Sequence, residues 1–236
     1  MTGYIGFIPC RAGSERVPNK NTRPFAGFEG GLLELKLRQL AGVSKLEKIV
    51  VSSNDPIVLD YVASFSPHVD ILIEAINRPN ELGTSSTPMD DFIRYTGNLS
   101  EEGTIVFTHV TSPFICAREY ESIISAYEKS LNEGYDSLLT VTKLHKFLWD
   151  EKGPINYTPH PIKWPRSQDI RPIFEINHGA YVLPFKLMRE TGDRLGHRPY
   201  FMPLSEIVAM DIDWEEQFEL LEQIALAKMS KGAVLI

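Results

Sequence analysis

The sequence predicts an α/β fold, with a mostly parallel sheet and helices on both of its faces. Strand-like and helix-like segments alternate along the first 142 residues. The chain has 236 residues, of which 43% are hydrophobic, so it suits one domain with a sizeable core. Because crossovers between parallel strands are right-handed, the carboxyl ends of the strands meet at one edge. We expect a ligand to bind at that edge.

The predicted strands are short apolar runs rich in β-branched residues. Each is bounded by polar or turn-forming residues, which is typical of strands buried in a parallel sheet. They cover residues 4–9, 48–52, 69–74, 104–109 and 137–142. Regular structure is predicted again at 180–184 and 207–212.

The predicted helices lie between and after these strands. Asp55 before Pro56 is typical of a helix cap followed by proline at the first helical position. Thr87 before Pro88 repeats this signal. Elsewhere the spacing of apolar residues predicts the helices. Together these signals predict helices over residues 32–40, 56–65, from 88 onward, from about 120 to 134, and from 214 to about 229.

The alternation breaks between residues 144 and 174. This stretch contains five prolines and two tryptophans but few periodic apolar positions. A structureless loop of this length is improbable inside a compact domain. We therefore expect an inserted, protruding arm at 144–174 within a single domain of residues 1–236, and this arm suits contact with a second subunit.

Composition excludes several classes of protein. The formal net charge is −7 and the isoelectric point is near 5.4, which argues against a nucleic-acid partner. No apolar run approaches the ~20 residues of a membrane-spanning helix, and no signal peptide is expected. Cys10 and Cys116 form neither a close pair nor a metal-ligand spacing. Two reduced thiols in a cytoplasmic protein are therefore expected.

The loop after the first strand is strongly basic. It places forked donors on Arg11 and Arg16, and a point charge on Lys20, around a Gly13-Ser14 turn whose backbone N–H groups can bind an anion. This combination suits a small polyanion such as a triphosphate. The spacing is not that of a Walker loop. The alternative is a basic loop that simply faces solvent.

The stretch MDIDWEE carries Asp211 and Asp213 near the carboxyl end. On an extended segment, residues two apart point the same way, so both carboxylates could face one Mg²⁺. The alternative is a helix capping box between Asp213 and Glu216. The two roles are compatible.

Two further residues follow predicted strands at the expected ligand edge. Arg78, before Pro79, could meet a base or a phosphate, and His109 could contact a ligand. The alternatives are an ordinary polar loop at Arg78 and a structural histidine at a strand end.

Together these stretches resemble the acylneuraminate cytidylyltransferases, which activate sialic acid and related nine-carbon sugar acids. The opening motif of that family, a strand ending I-P-A-R followed by a small-residue turn and K-N, is matched by IPCRAGSERVPNKN. Its later blocks R-P-x-x-L, T-S-P and D-x-D appear in order as RPNEL, TSP and DID. A further block is echoed by SQDIRPIFEINHGAY, so the resemblance covers nearly the whole chain.

The resemblance implies a Rossmann-like nucleotidyltransferase fold and a homodimer whose arms are exchanged between subunits. It also implies a reaction. The anomeric hydroxyl of a sugar acid attacks the α-phosphate of CTP, giving a CMP-sugar and pyrophosphate, with Mg²⁺ as cofactor.

The resemblance also implies roles for individual residues. Those implied for the triphosphate and ribose are Arg11, Ser14, Arg16, Lys20 and Asn21, with Arg78 at the cytosine. Asp211 and Asp213 would hold the metal. Those implied for the sugar are His109, Arg166, Gln168, Asn177 and Tyr181. Catalysis would depend on Arg11, Lys20 and Asp211.

The sugar-side residues depart from the family pattern. His109 stands where the family has glutamine, and Gly83-Thr84-Ser85 lacks an aspartate of the family block. Ser167 falls on the position of an arginine, although Arg166 is one residue earlier. We therefore expect an acceptor that is not necessarily sialic acid itself.

Two other functions stay open at this point. A metal-dependent glycosyltransferase also uses D-x-D, but here the motif lies near the carboxyl end and the basic loop suits a triphosphate better than a diphospho-sugar. A catalytically silent nucleotide-binding homologue would explain the altered sugar side, but not the paired aspartates.

Overall fold

The computed structural model describes residues 3–236, and nine strands lie in that part of the chain. Seven form one sheet, and the two short ones form a separate pair. The strands are β1 Tyr4–Cys10, β2 Leu46–Ser53, β3 Leu72–Asn77, β4 Thr104–Thr108, β5 Ser137–Leu144, β6 Trp149–Asp150, β7 Gly153–Pro154, β8 Ile173–Pro184 and β9 Pro199–Leu204.

Six α-helices connect or follow these strands in the described part of the chain. The segments that lead into the first, third, fourth and sixth helices border the cavity described below. The helices are α1 Gly31–Ala41, α2 Pro56–Phe65, α3 Met89–Gly97, α4 Ala117–Leu131, α5 Phe185–Thr191 and α6 Glu215–Ser230.

The strand order in the large sheet is β3-β2-β1-β4-β8-β5-β9. All neighbouring pairs are parallel except the two that involve β8, which runs antiparallel to both β4 and β5. The predicted mostly parallel sheet is therefore confirmed. Because β8 is reversed, its last five residues pair with β4, from Thr108 with Ala180 to Thr104 with Pro184. The amino-terminal half of β8 therefore extends past the carboxyl end of β4 and pairs with β5 alone.

The sheet separates two hydrophobic cores, and residues alternate between them along each strand. In β1, Ile8 and Cys10 belong to the core under α1, α2, α4 and α6. Ile5 and Phe7 belong to the core under α3 and α5, where the rings of Phe7 and Phe107 lie 5.1 Å apart. Helices thus cover both faces, as predicted. Strands buried on both faces read as nearly continuous apolar runs, which is why the sequence revealed them.

The sequence predicts two helix caps before prolines, Asp55 and Thr87, and the structure confirms only the first. The side chain of Asp55 accepts a hydrogen bond from Ile57 N–H at 3.0 Å, so the predicted cap of α2 is confirmed. The prediction that Thr87 caps α3 is wrong, because its hydroxyl donates instead to the carbonyl of Glu81 at 2.8 Å. Thr87 therefore closes the preceding loop and leaves α3 without a side-chain cap.

The third predicted strand and the segment that follows β8 differ from the structure. The third strand begins at Leu72 rather than at residue 69, because a short 3₁₀ turn, Ser66–His68, precedes it. The prediction of regular structure over 207–212 is wrong, since these residues form a turn and an irregular segment. The strand β9 precedes them and contains Pro199 and Pro203. Proline is tolerated there because β9 is an edge strand that pairs only with β5.

The predicted arm lies between β5 and β8, whose ends pair at Leu144 and Ile173. It contains the β6–β7 pair, and a buried asparagine links its segments by hydrogen bonds. There the Asn156 side chain accepts from Leu148 N–H and donates to the carbonyls of Lys146 and Arg171. Four aromatic side chains cluster on it: Phe147, Trp149, Tyr157 and Trp164. The arm is therefore an ordered insertion.

Within residues 3–236, no helix has both the length and the apolar character that crossing a bilayer requires. Cys10 and Cys116 are free thiols, as predicted.

Candidate active site

A cavity of about 530 Å³ opens at the carboxyl edge of the parallel strands. Its walls come from the segments that follow β1, β3 and β4, from β8, and from the loops before β9 and α6. This is the edge at which the strand pattern predicts a ligand, because successive loops converge there.

The basic loop, residues 11–23, forms one wall. Gly13 adopts a left-handed conformation (φ 70°), which glycine accepts without strain. Ala12 N–H donates to Asn54 Oδ1 at 2.9 Å, and the side chain of Val17 is fully buried, so both ends of the turn are anchored. The structure brings all five predicted loop residues to the cavity: Arg11, Ser14, Arg16, Lys20 and Asn21.

Asp211 and Asp213 line the same cavity and meet the basic loop. Arg16 Nη2 lies 2.7 Å from Asp213 Oδ1, and Lys20 Nζ lies 4.0 Å from the same oxygen. Asp211 Oδ1 is buried and has no hydrogen-bond partner within residues 3–236. A buried carboxylate oxygen without a donor is rare in proteins and indicates a group still to be bound.

Ile212 explains why the two aspartates share a face. Its side chain is fully buried in the core beneath α6. Its N–H donates to the carbonyl of Thr111 at 3.0 Å, and its carbonyl accepts from Lys20 Nζ at 2.8 Å. Side chains alternate on an extended segment, so burying Ile212 turns both flanking aspartates toward the cavity.

The capping box considered for Asp213 and Glu216 does not form. The helix α6 begins one residue later, at Glu215, after Trp214. Gln217 supplies the cap, since its Oε1 accepts from the N–H groups of Asp213 and Trp214 at 2.7 and 3.0 Å. The carboxylate of Asp213 is therefore free of capping and paired with Arg16.

Lys20 is the most enclosed cation of the basic loop. Burial lowers its pKa, and the carboxylates of Asp213 and Asp211 oppose that shift. Its ammonium group donates to the Ile212 carbonyl rather than facing water. Lys20 thus holds positive charge at the junction of the loop and the aspartate segment.

Arg78 lies deeper, and its burial lowers its pKa. Its guanidinium donates to the hydroxyl and carbonyl of Ser52 and to the carbonyl of Leu82, and it stacks over Phe92 at 4.5 Å. It therefore joins the end of β2 to the loop after β3. It also lines the cavity.

The far wall carries two histidines. His109, at the end of β4, has its pKa lowered to about 3, first by burial and then by the charge of Arg194. His178 faces it with ring centroids 6.4 Å apart. The His178 Nδ1 is hydrogen-bonded to the hydroxyl of Tyr181 at 2.6 Å, and burial followed by Arg194 lowers the His178 pKa. Both imidazoles are therefore neutral near pH 7.

A bulge in β8 puts His178 in the cavity. The pairing of β5 with β8 shifts register between Leu139 and Val141, and His178 has a positive φ of 55°. Bulges re-aim side chains in this way and are common beside active sites. Asn177 stabilises the bulge, because its Oδ1 accepts from the Thr140 hydroxyl at 2.7 Å and from Gly179 N–H at 3.1 Å.

Four residues predicted for the sugar do not line the cavity in this chain. Asn177 is buried in the bulge, and Tyr181 is buried beneath His178. Arg166 and Gln168 are exposed on the arm, where Arg166 pairs with Asp169 at 2.7 Å. Matching a family motif suggested these four residues. In the folded chain, burial removes two of them from the cavity, and the arm carries the other two away from it.

The cavity also contains residues that are not among the predicted site residues. Arg194 lines it from the loop after α5, and Thr84, Ser85 and Thr87 line it from the loop after β3. Arg194 stands in an ordinary polar stretch, DRLGHRPY, with no motif around it. His178 stands in the stretch SQDIRPIFEINHGAY, but it is not among the predicted site residues.

The sequence profile of the family described as Cytidylyltransferase matches residues 5–229. N-acylneuraminate cytidylyltransferase A of Danio rerio is 24% identical over 235 residues, covering 93% of this chain and 50% of the relative. The N-acylneuraminate cytidylyltransferase of Oncorhynchus mykiss is 24% identical over 218 residues, which cover 88% of this chain and 48% of that relative. The chain thus spans about half the length of these curated relatives.

Solved structures share the fold. A CMP:2-keto-3-deoxy-manno-octonic acid synthetase complexed with CTP has a TM-score of 0.64 at 14% identity, covering 98% of this chain and 100% of that one. The 4-diphosphocytidyl-2C-methyl-D-erythritol synthase from Anaerococcus prevotii has a TM-score of 0.63 at 14% identity. The match covers 97% of this chain and 99% of that one. The fold is therefore the Rossmann-like nucleotidyltransferase fold. Since the family profile spans nearly all of the sequence, the chain belongs to the cytidylyltransferase family.

Proposed function

We propose that this chain transfers CMP from CTP to the anomeric hydroxyl of a nonulosonic or related sugar acid and releases pyrophosphate. Membership of the cytidylyltransferase family supports CTP as the donor of the transferred CMP. The names of the two fish relatives and of the octonic acid synthetase support a sugar acid as acceptor.

One observation carries the proposal: the basic loop and the aspartate pair close on one another across the cavity. Arg16 reaches Asp213 at 2.7 Å, and Lys20 reaches the carbonyl between the aspartates at 2.8 Å. Cations that neutralise phosphate charge, beside carboxylates that suit a divalent metal, are what a nucleoside triphosphate requires.

Mg²⁺ fits the residues present. Asp211 and Asp213 offer carboxylate oxygens, and one of these is buried without a partner in residues 3–236. Magnesium is commonly held by one or two carboxylates together with substrate phosphates, so two protein ligands are enough. When bound, the ion would neutralise the charge that develops on the phosphates.

The chain's own residues bind and orient the reactants. In this proposal Arg11, Arg16 and Lys20 hold the triphosphate, and Arg78 contacts the cytosine base. The acceptor oxygen bonds to the α-phosphorus, the bond from that phosphorus to the bridging oxygen breaks, and pyrophosphate leaves with the electron pair while the hydroxyl proton passes to water. Such a transfer depends on in-line positioning and charge neutralisation. Arg11, Lys20 and Asp211 are the proposed catalytic residues.

The arm is proposed to complete the enzyme as a homodimer. Arg166 and Gln168 lie on the arm, away from the cavity of their own chain. An exchanged arm would bring them to the cavity of the partner subunit, which would reconcile their predicted sugar contacts with their positions.

The test is pyrophosphate release with each of CTP, UTP, ATP and GTP, against a panel of sugar acids that includes N-acetylneuraminate and 2-keto-3-deoxy-manno-octonate. We expect release with CTP and at least one acid, dependent on Mg²⁺. No release with CTP and any acid would refute the transfer. Thermal stabilisation by a UDP- or GDP-sugar but not by CTP would favour a glycosyltransferase.

A further inference from the structure

Arg194 is unusual among the cations of the cavity. Five cationic side chains line it: Arg11, Arg16, Lys20, Arg78 and Arg194. The first four each make a hydrogen bond or an ion pair through the side chain. Among residues 3–236, the Arg194 guanidinium makes neither, and its Nε is buried without an acceptor. A buried donor without a partner indicates an acceptor still to be bound.

The guanidinium is held in place by aromatic rings. It lies over the ring of Tyr181 at 4.4 Å and near the ring of Phe107 at 5.4 Å. Arginine stacked on an aromatic face keeps the donors along its edge available for a planar, bidentate acceptor. Arg194 is thus oriented before any ligand arrives, which lowers the entropic cost of binding.

The positive charge of Arg194 acts on both histidines of this wall, since it lowers the pKa of each. His109 and His178, which share the wall, are neutral near pH 7, so they add no positive charge of their own. The nearest carboxylate in sequence, Asp193, accepts from the backbone N–H of Arg194, not from its side chain. Asp213 is paired with Arg16, and the free oxygen of Asp211 is the one assigned above to a metal. The charges of these two carboxylates oppose the effect of Arg194 on the His178 pKa.

We propose that Arg194 binds the carboxylate of the acceptor and thereby selects acidic over neutral sugars. This inference rests on the proposed transfer to a sugar acid and names the residue that recognises the acid group. The contacts proposed for the nucleotide come from the basic loop, whereas Arg194 lines the cavity from the loop after α5, so we assign Arg194 to the acceptor.

The test compares Arg194→Met and Arg194→Lys with a matched control, Arg198→Met. Arg198 lies four residues further along, outside the cavity, and also rests on an aromatic ring, that of Tyr135 at 4.7 Å. KM for each substrate is measured by pyrophosphate release. Binding of N-acetylneuraminate and 2-keto-3-deoxy-manno-octonate, each against its methyl ester, is measured by calorimetry in the presence of CMP, and circular dichroism checks the fold of each variant.

Loss of a hydrogen-bonded charge pair should raise KM for the acid about 10- to 100-fold in Arg194→Met. The KM for CTP should stay within about twofold, because the nucleotide contacts are elsewhere. Arg194→Lys should recover part of the loss, since it restores the charge but not the fork. Arg198→Met should match the wild type, and the wild type should prefer each acid to its ester.

Failure of the inference is distinguishable from failure of the transfer. If the wild type transfers CMP to an acid and Arg194→Met does so with unchanged KM, the transfer stands and the inference is wrong. If no acid is a substrate, the calorimetric binding of each acid and its methyl ester tests the inference instead. A preference for acid over ester that Arg194→Met abolishes supports the inference, whereas equal binding of acid and ester, or no binding of the acid to the wild type, overturns it.

Discussion

Arg16 and Asp213 are 197 residues apart in the chain, yet Arg16 Nη2 lies 2.7 Å from Asp213 Oδ1. Both side chains are close to half exposed, at 48% and 46%. An exposed ion pair contributes at most about 1 kcal/mol to stability. Its importance is positional, because it brings the basic loop and the aspartate segment to one cavity.

The first prediction concerns this pair. Arg16→Ala should weaken CTP binding by about 10-fold, through loss of a forked phosphate contact, and should lower the free energy of unfolding by less than about 1 kcal/mol. Calorimetric titration with CTP and urea denaturation measure the two effects. The matched control is Arg23→Ala. Arg23 makes a similar ion pair with Glu215 at 2.6 Å but does not line the cavity. Equal loss of CTP affinity in both variants would contradict the assignment.

The second prediction concerns Asp211. Asp211→Asn should reduce Mg²⁺-dependent pyrophosphate release by roughly 100-fold or more, because it removes charge that faces the metal and the reacting phosphates. The fold should be kept, as judged by circular dichroism. Glu216→Gln removes the same charge from an exposed position on α6 and should leave activity unchanged. Activity of Asp211→Asn near that of the wild type would show that Asp211 is not a metal ligand.

The third prediction concerns Lys36, a lysine of α1 that is fully buried. It donates to the Ser112 carbonyl at 2.9 Å and to the Tyr120 hydroxyl at 2.8 Å. Burial lowers its pKa to about 7, against ~10.4 for a lysine in the unfolded chain. Between these values the unfolded chain binds more protons than the folded chain, so the free energy of unfolding rises with pH.

Replacing Lys36 removes this pH dependence. Relative to Lys36→Met, the wild type should gain stability as pH rises from 7 to 10, which urea denaturation at each unit of pH would measure. Lys186→Met, at a largely exposed position, is the control. A stability difference between wild type and Lys36→Met that is constant over this range would refute the prediction.

The fourth prediction concerns the arm. Trp149 and Trp164 stack with ring centroids 5.9 Å apart and are 51% and 59% exposed. Exposed aromatic clusters of this kind are typical of interfaces. We expect a homodimer in sedimentation velocity, and a shift toward monomer when both residues are replaced by alanine. Trp214→Ala, equally exposed at 57% but outside the arm, should remain dimeric. A monomeric wild type, or an unchanged dimer in the double variant, would contradict this role of the arm.

Much of the site could be predicted from local pattern. The alternation in Asp211-Ile212-Asp213 predicts two carboxylates on one face, and burial of Ile212 produces that arrangement. The strand-then-turn pattern around Gly13 likewise predicts the basic wall. Both features depend on a few adjacent residues, so the sequence alone contains them.

Other parts depend on contacts between distant segments. The strand β9 was missed because its prolines are acceptable only at a sheet edge, and edge position is not a local property. His178 reaches the cavity through a bulge that a register shift between β5 and β8 creates. The Arg194 guanidinium rests on the rings of Tyr181 and Phe107, which are distant in the chain, and no sequence motif surrounds Arg194.

By itself the sequence determined the α/β alternation, the basic loop, the aspartate pair and the family, because periodicity and short motifs are encoded in neighbouring residues. Only the tertiary structure decided which residues lie beside His109 in the cavity. The antiparallel β8 inserts between β4 and β5, and this places His178 beside His109, with Arg194 over Tyr181. These neighbours arise from packing across the sheet, where the chain brings together residues that no local pattern connects.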